Sequence, residues 1–278
     1  MARPFISLLS DFGARDPSAG IMRGVILGIC SEANVVDISH EVAKFRVRDG
    51  ALSLWCALSY LPVGVHVAVV DPGVGTERRP LALRTARGDV LVGPDNGLLL
   101  PAAEERLGGL VEVRQLVAPA YRLEPVSSSF HGRDIFAPAA AHLARGVPLE
   151  ALGPLVPATD LTRLAWPAPG IDAGQLRATV IYVDTFGNLK LGALAGDLAA
   201  ACGELAGNAL LEASWPAPGG AQQVSHRVRW ARTFGDVPRG EPLLYPDSYG
   251  RLCLAINQGS AAERLGLSED VALTIRRA

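Results

Sequence analysis

The chain has 278 residues, which is long for one domain and comfortable for two, because hydrophobic cores usually split into units of about 100 to 200 residues. Its 49% hydrophobic and 19% charged residues are enough to fill ordinary cores, and a formal net charge of -2 offers no basic face for nucleic acid. Apolar runs stay shorter than the roughly 18 residues that suggest a membrane span, and the first residues lack a secretory cleavage site, so we expect a cytoplasmic protein with no membrane partner.

The N-terminal part alternates between strand-like and helix-like segments. The spacing of apolar residues predicts strands at 4–10, 33–39 and 66–71, helices at 19–30, 47–61 and 135–146, and two further strands joined at Arg87 and Gly88. Because strands that alternate with helices form parallel sheets covered on both faces, we expect an α/β domain with a mostly parallel sheet over residues 1–163.

Carboxylates follow three of the predicted strands. Asp11, Asp71 and Asp95 each come after an apolar run. In open α/β sheets, ligands bind beyond the carboxyl ends of the strands. The sequence therefore predicts that these three side chains lie on one rim of the sheet, at a ligand site.

The composition of the chain changes near residue 164. Prolines and glycines indicate a linker over residues 164–174. Beyond it, strand-like runs are separated by turn residues and by one helical stretch at 194–206. This pattern predicts a small antiparallel barrel or sandwich over residues 175–278.

The four cysteines show no metal-binding or disulfide spacing. They are scattered along the chain, and two of them lie in apolar runs, where a thiol behaves as a small hydrophobic group. We therefore expect reduced thiols and neither zinc nor a disulfide at Cys30, Cys56, Cys202 and Cys253.

Six segments are too polar and too rich in glycine to be ordinary connections. In chain order they are SDFG (10–13), DPGVGTER (71–78), GPDNG (93–97), FHGRDIFAP (130–138), VDTFGN (183–188) and DSYGRLCLAINQGSAAERLG (247–266). Taken singly, each has a structural interpretation beside a functional one, because glycine serves tight turns as well as close backbone approach to a ligand. Asp134 with Arg133 fits a helix cap better than a site, and the FGN triplet fits a strand bulge.

Taken together, the six segments resemble those of the S-adenosyl-L-methionine (SAM) hydrolases. This family, also called the SAM hydroxide adenosyltransferases, is related to the SAM-dependent fluorinase and chlorinase. The resemblance runs from LLSDFG to INQGSAAERLG, nearly the whole chain. It implies a Rossmann-like N-terminal domain, a small C-terminal β-barrel and a homotrimer, with SAM bound between the N-terminal domain of one subunit and the C-terminal domain of the next.

The resemblance also implies a reaction and a catalytic set. The reaction is hydrolysis of SAM to adenosine and methionine, without a metal or other cofactor. The family's Asp/Arg/His set, which handles the attacking water, matches Asp71, Arg78 and His131. Arg79, beside Arg78, leaves open which arginine belongs to the set.

Substrate-binding roles carry over to further positions. Asp11 matches the carboxylate that binds the ribose, and Asp184 the residue that receives the methionine ammonium. The other matches are Asn188 at adenine, Phe186 and Phe234 packing against adenine, and Ser248 with Tyr249 at the methionine carboxylate. Lys190 is a departure, since related halogenases carry there an aromatic residue that stacks on the base.

These residue types suit displacement at a sulfonium. Water is a poor nucleophile. A nearby arginine favours the hydroxide form of the attacking water, and a carboxylate or imidazole can orient that water or accept its proton. Three other functions stay open at this point. They are SAM-dependent halogenation, metal-dependent hydrolysis built on the aspartates and His131, and binding of SAM or adenosine without turnover.

Overall fold

A computed structural model of the chain describes residues 3–217 and 222–278. The chain divides into two compact units, Met1–Leu164 and Ala165–Ala278, called here the first and the second unit. Among the described residues, none of the helices has the length and apolar character needed to cross a membrane.

The first unit is built on a six-stranded sheet. Its strands are β1 (Phe5–Ser10), β2 (Asn34–Ser39), β3 (Val65–Val69), β4 (Pro80–Thr85), β5 (Val90–Pro94) and β6 (Leu110–Gln115), in the spatial order β2-β1-β3-β5-β4-β6. β2, β1, β3 and β5 run parallel, while β4 is antiparallel to both of its neighbours. The expected α/β class with a mostly parallel sheet is confirmed.

Among the described residues of the first unit, four α-helices accompany this sheet. They are α1 (Ser18–Ile29), α2 (Val47–Ala57), α3 (Leu100–Glu105) and α4 (Ala137–Ala144). The helix predicted over 47–61 ends as α2 at Ala57 and continues only as a 3-10 turn, Leu58–Tyr60. α4 is preceded by a wide π-helical turn, Gly132–Phe136, which follows directly on His131.

The core of the first unit follows from the sequence pattern. All five residues of β3 are buried, as expected of a central parallel strand with both faces covered. On α1, Met22 and Ile26 lie one turn apart and are both buried. They pack in one cluster with strand residues such as Ile6 and helix residues such as Phe136.

A buried row of polar side chains runs from β1 through β3 to Asp89, the residue before β5. His66 lies between Ser7 Oγ, 2.8 Å from its Nδ1, and Asp89 Oδ1, 3.0 Å from its Nε2. All three residues are fully buried, and Arg87 also donates to the Asp89 carboxylate. These donors hold the pKa of Asp89 well below its usual range, although burial opposes them. Because Ser7, His66 and Asp89 have no exposure to solvent, we assign this row to the stability of the sheet.

The second unit is a closed barrel. Its strands are β7 (Gly170–Asp172), β8 (Gln175–Val183), β9 (Leu189–Leu194), β10 (Leu210–Pro216), β11 (Gln223–Trp230), β12 (Pro242–Pro246), β13 (Arg251–Ile256) and β14 (Ala272–Arg277). They lie in the order β14-β10-β11-β12-β13-β9-β8-β7, and an additional pairing of β14 with β8 closes the ring. The barrel, rather than the sandwich, is therefore the correct form of this unit.

Over residues 165–217 and 222–278, the barrel contains one parallel strand pairing and two α-helices. Its neighbouring strands pair antiparallel except for β11 and β12, which run parallel. The helices are α5 (Ala195–Cys202), which falls within the predicted stretch 194–206, and α6 (Ala261–Leu265). Alternate residues of the strands, among them Leu189 and Leu191 of β9, fill the barrel with apolar side chains.

Candidate active site

A cavity of about 430 Å³ lies in the first unit beyond the carboxyl ends of β1 and β3. Asp11 follows β1 and Asp71 follows β3, so both carboxylates reach this edge of the sheet, where open α/β folds bind ligands. The cavity is lined by Asp11, Phe12, Asp16, Ser18, Lys44, Phe45, Val69, Asp71, Val74, Ser129, Phe130, His131 and Gly132.

Arg78 joins Asp71 to His131. Its Nε donates to Asp71 Oδ1 at 3.1 Å and its Nη2 donates to Asp71 Oδ2 at 2.5 Å. The same Nη2 lies 3.0 Å from His131 Nδ1. Only 6% of the Arg78 side chain and 5% of the Asp71 side chain are exposed, and the guanidinium lies over the ring of Phe136. The structure thus brings together three side chains that are 7 and 53 residues apart in sequence.

The contact with Arg78 fixes the tautomer of His131. A guanidinium only donates hydrogen bonds, so Nδ1 must accept, and a neutral His131 carries its proton on Nε2. Burial and the nearby Arg78 lower the pKa of His131. The imidazole is therefore neutral at pH 7 and has an N–H donor on Nε2.

The pKa of Asp71 shifts in the opposite direction from that of His131. Burial raises the pKa of this carboxyl above its usual value, and the pairing with Arg78 opposes the rise. Arg78 and the backbone N–H of Gly73 together use three of the four lone pairs of this carboxylate, which leaves one for a further donor. A buried, moderately basic carboxylate of this kind is suited to accept a proton.

The turn that carries Asp71 and Arg78 packs against the segment that carries His131. Gly75 has a φ of +77°, and a Cβ at this position would collide with the carbonyl oxygen of Ser128. Within the turn, Val74 N donates to Asp71 O at 3.3 Å. Glycine is thus required where the turn approaches residue 128, three residues before His131.

Asp11 is held by a neighbouring loop. Its Oδ2 accepts a hydrogen bond from Phe45 N at 2.9 Å, and Gly13 N donates to His40 O at 2.7 Å. Phe45 has a φ of +66°, unusual for a residue with a side chain, and is 69% exposed at the cavity. Sequence reasoning missed Phe45, because the Ala-Lys-Phe-Arg segment around it contains no turn signal.

Arg79 has a different partner from Arg78. Its Nε and Nη2 donate to Asp95 Oδ2 at 2.9 and 2.6 Å, and Asp95 Oδ1 accepts from Thr162 N at 2.9 Å. Asp95 follows β5 at the same edge of the sheet as Asp11 and Asp71, as expected, but it is not among the residues that line this cavity. Of the two arginines, Arg78 is the one that contacts Asp71 and His131.

Arg133 and Asp134 form their own pair. Arg133 Nε lies 2.6 Å from Asp134 Oδ1, and Ser127 N donates to Asp134 Oδ2 at 2.8 Å. The carboxylate thus ties the loop at 127 to the π-helical turn and does not cap the helix that follows. The structural role favoured for this pair fits these contacts.

A second cavity, of about 530 Å³, lies in the second unit. It is lined by Asp184, Phe186, Asn188, Phe234, Tyr245, Ile256, Gln258 and Gly259. Phe186 is 78% exposed at this cavity, and the rings of Phe234 and Tyr245 lie 5.0 Å apart. Four residues proposed from sequence for adenine or the methionine ammonium therefore share one cavity, beside Tyr245 and Gln258, which the sequence did not single out.

Asp184 organises the turn between β8 and β9. Its Oδ1 accepts from Phe186 N and Asn188 N, both at 2.9 Å, and its Oδ2 accepts from Asn188 Nδ2 at 2.9 Å. Oδ2 has a second lone pair that these contacts do not use. Within the second unit, Asp184 and Asn188 thus lie side by side as a hydrogen-bonded pair.

Ser248 and Tyr249 lie in the turn between β12 and β13, outside the lining of the second cavity. Asp247 Oδ1 accepts from Tyr249 N at 2.9 Å and from Arg251 N at 3.0 Å, which fixes the turn from its first residue. Ser248 is exposed at the tip of this turn.

Comparisons with known proteins decide the family. The model of the SAM hydroxide adenosyltransferase N-terminal domain matches residues 6–153, and the model of the C-terminal domain matches residues 178–274. The chain belongs to the SAM hydroxide adenosyltransferase family. An (R)-S-adenosyl-L-methionine hydrolase from Salinispora tropica is 42% identical over 265 residues, which cover 95% of each chain.

Two further proteins extend this comparison. A fluorinase from Actinopolyspora mzabensis is 28% identical over 308 residues, covering 99% of this chain and 98% of its own. An uncharacterized conserved protein from Thermotoga maritima has a crystal structure that superimposes with a TM-score of 0.88 and 34% identity, covering 98% of this chain and all of its own. The chain is thus similar to a SAM hydrolase over 95% of its length, and more distantly to fluorinases.

In this family member, the residues expected at the site fall into three groups. Asp11, Asp71 and His131 line the first cavity, and Arg78 lies behind Asp71. The second cavity contains Asp184, Phe186, Asn188 and Phe234, while Ser248 and Tyr249 occupy the adjoining turn of the same barrel. The roles of these residues stay predictions, which the following proposal develops.

Proposed function

We propose that the chain hydrolyses S-adenosyl-L-methionine to adenosine and L-methionine, with water attacking C5′. The observation that carries this proposal is the set of Asp71, Arg78 and His131, joined by hydrogen bonds at the cavity of the first unit. Curated SAM hydrolases that are 42% identical over 95% of the chain support the same reaction.

The reaction is an in-line displacement at carbon. The water oxygen forms a bond to C5′ while the bond from C5′ to the sulfonium sulfur breaks. The electron pair of that bond stays on sulfur, which leaves as the neutral thioether of methionine. The water gives up one proton in the process, so the site needs a proton acceptor beside the oxygen.

The geometry favours Asp71 as that acceptor. In neutral His131, Nδ1 is occupied by Arg78 and Nε2 carries the proton, so the imidazole can donate to the water oxygen but has no free lone pair. The Asp71 carboxylate keeps one lone pair beyond those that accept from Arg78 and from the backbone N–H of Gly73, and burial raises its pKa. In this scheme His131 orients the oxygen, Asp71 takes the proton, and Arg78 holds both and favours the hydroxide form.

Positioning supplies the rest of the rate enhancement. Holding the oxygen in line with C5′ contributes up to roughly 7–11 kcal/mol in favourable intramolecular reactions. Asp11 is proposed to bind the ribose hydroxyls with its carboxylate, next to the charged set in the same cavity. The exposed ring of Phe45 lines this cavity as well and is placed to cover the sugar.

The second unit is proposed to bind the two ends of the substrate. Asp184 Oδ2 would receive the methionine ammonium, and Asn188 would meet adenine, with Phe186 and Phe234 packing on the base. Ser248 and Tyr249 would take the methionine carboxylate. No metal or redox cofactor enters this scheme.

We further propose that the active site is completed between copies of the chain in a homotrimer. The charged set and Asp11 belong to the first unit, and the residues for adenine and methionine belong to the second. A cytoplasmic location is part of the same proposal. Four cysteines without a disulfide, three of them buried, support a reducing compartment.

Product analysis tests the proposed reaction. The protein is incubated with SAM in the presence and absence of chloride, and with a strong chelator, and the nucleosides are identified by mass. The proposal predicts equal amounts of adenosine and methionine under all three conditions. Formation of 5′-chloro-5′-deoxyadenosine would indicate halogenation, loss of activity with the chelator would indicate a metal, and binding without products would indicate a SAM-binding protein.

A further inference from the structure

A partly buried ion pair lies in the barrel next to the turn at 247–251. Lys190 Nζ, on β9, donates to Asp247 Oδ2 at 2.5 Å. Only 14% of the Lys190 side chain and 6% of the Asp247 side chain are exposed. The proposed mechanism uses neither residue. Lys190 is also the position at which the sequence departs from the halogenase pattern.

Strand register fixes the lysine in the barrel wall. Lys190 pairs with Cys253 on β13, and Cys253 pairs with Tyr245 on β12, which lines the second cavity. Burial raises the pKa of the Cys253 thiol to about 12, so Cys253 is neutral and does not compete for the ammonium. Asp247, which directly follows β12, is thus an anionic partner within reach of Lys190.

Asp247 is also the residue around which the turn is built. Its Oδ1 accepts from Tyr249 N and Arg251 N, its own N–H donates to Arg251 O at 2.8 Å, and Gly250 N donates to Asp247 O at 2.9 Å. Gly250 has a φ of +82°, which suits glycine at this point of a tight turn. One carboxylate therefore determines where residues 248 and 249 lie.

Removing the lysine would leave this carboxylate without its counter-charge. A buried, unpaired carboxylate either takes up a proton or moves toward water, because burying an isolated charge is strongly unfavourable. Either change disturbs the two hydrogen bonds that Oδ1 accepts. The aromatic ring of Tyr249, whose centroid lies 5.5 Å from Lys190 Nζ, would lose a contact as well.

We infer that Lys190 is a positioning residue for the amino-acid end of the substrate. By holding Asp247 it fixes the turn at 247–251, and with that turn Ser248 and Tyr249, which receive the methionine carboxylate. The inference rests on the proposed function, in which the substrate is SAM. On this inference, Lys190 increases the preference of the enzyme for substrates that carry a carboxylate.

The test compares two substrates in one variant. Decarboxylated SAM lacks the carboxylate but keeps the sulfonium, the ribose and the adenine. Lys190→Met is expected to raise the KM for SAM about tenfold, the size expected when a hydrogen bond to a charged group is lost. It should change kcat little and leave kcat/KM for decarboxylated SAM near the wild-type value. Lys190→Arg, which keeps the cation, should restore most of the affinity for SAM.

Matched variants separate positioning from general stability. Arg276→Met breaks an exposed ion pair with Glu212 in the same barrel and should leave both substrates unaffected. Asp247→Asn keeps an oxygen that accepts from Tyr249 N and Arg251 N but removes the charge that pairs with Lys190. It should therefore raise the KM for SAM less than Lys190→Met does and leave kcat/KM for decarboxylated SAM unchanged. If Lys190→Met does not fold, as judged by circular dichroism, Asp247→Asn decides the test.

Two results would overturn the inference. One is an equal loss of kcat/KM for both substrates, which would assign Lys190 to the stability of the barrel. The other is an unchanged KM for SAM in both Lys190→Met and Asp247→Asn. Failure of the proposed function looks different, because the wild-type protein itself would then form no adenosine from SAM.

Discussion

Arg78 and Asp71 form a two-point ion pair, with Nε 3.1 Å from Oδ1 and Nη2 2.5 Å from Oδ2. Pairs of this geometry fix the orientation of the carboxylate as well as its charge. The second hydrogen of Nη2 reaches His131, 3.0 Å away, so one guanidinium sets the position of both other members of the set.

The first prediction concerns turnover. Asp71→Asn and His131→Ala should each lower kcat for adenosine formation by more than about tenfold, because each removes a group that accepts a proton or orients the water. Binding of SAM, measured by calorimetry, should change little. Asp172→Asn, at an exposed ion pair with Arg177, serves as the control. Parallel losses of turnover and binding would contradict the division of roles.

The two adjacent arginines provide a matched comparison. Arg78→Lys keeps a positive charge but cannot make the two-point contact, so kcat should fall by more than about tenfold. Arg79→Lys alters a pair with Asp95 that lies outside the cavity, and it should lower the melting temperature slightly while kcat is retained. If Arg79→Lys had the larger effect on kcat, the assignment of Arg78 to the catalytic set would be wrong.

Two pKa shifts predict the acid side of the pH profile. Asp71 must be ionised to take the proton, and burial raises its pKa above 3.8, while burial and Arg78 lower the pKa of His131 below 6.5. kcat/KM should therefore decline as the pH falls, with a midpoint above the 3.8 of an ordinary aspartate, because the group with the higher pKa sets this limb. A midpoint at or below 3.8 would contradict the raised pKa of Asp71.

Mixing of inactive variants tests the proposed assembly. Asp71→Asn affects the first unit and Asp184→Asn the second, and each alone should be nearly inactive at low SAM concentration. If the site forms between copies, trimers mixed by dissociation and reassociation will contain some sites with both native residues. Activity should then reappear on mixing. If both halves of the site come from one chain, no mixing protocol can restore activity.

Patterns that depend on burial were predictable from the sequence. The continuous apolar run that became β3 and the 3.6-residue periodicity of α1 indicated an α/β unit, because burial on one or both faces leaves a direct mark on composition. β6 was missed, since its LVEVRQ sequence has a short and partly polar pattern. The barrel closure by β14 and β8 depends on pairing between distant strands, which periodicity does not contain.

The sequence predicted those site residues that belong to recognisable motifs, but not the contacts between them. The contact of Arg78 with both Asp71 and His131 required the turn at Gly75 to pack on residue 128, a tertiary event that no local pattern records. Asp95 pairs with Arg79 instead of lining the cavity. The position of a carboxylate at the end of a strand does not reveal such a pairing. The sequence alone shows that Lys190 departs from the halogenase pattern. Its ion pair with Asp247 could not be predicted, because the two residues are 57 positions apart.

The most direct test of the central claim uses water labelled with oxygen-18. The protein is incubated with SAM in labelled water, and adenosine and methionine are analysed separately by mass. Attack at C5′ by the water held at Asp71, Arg78 and His131 predicts one labelled oxygen in adenosine, at the 5′-hydroxyl, and none in methionine. Unlabelled adenosine, or 5′-methylthioadenosine as the nucleoside product, would contradict it.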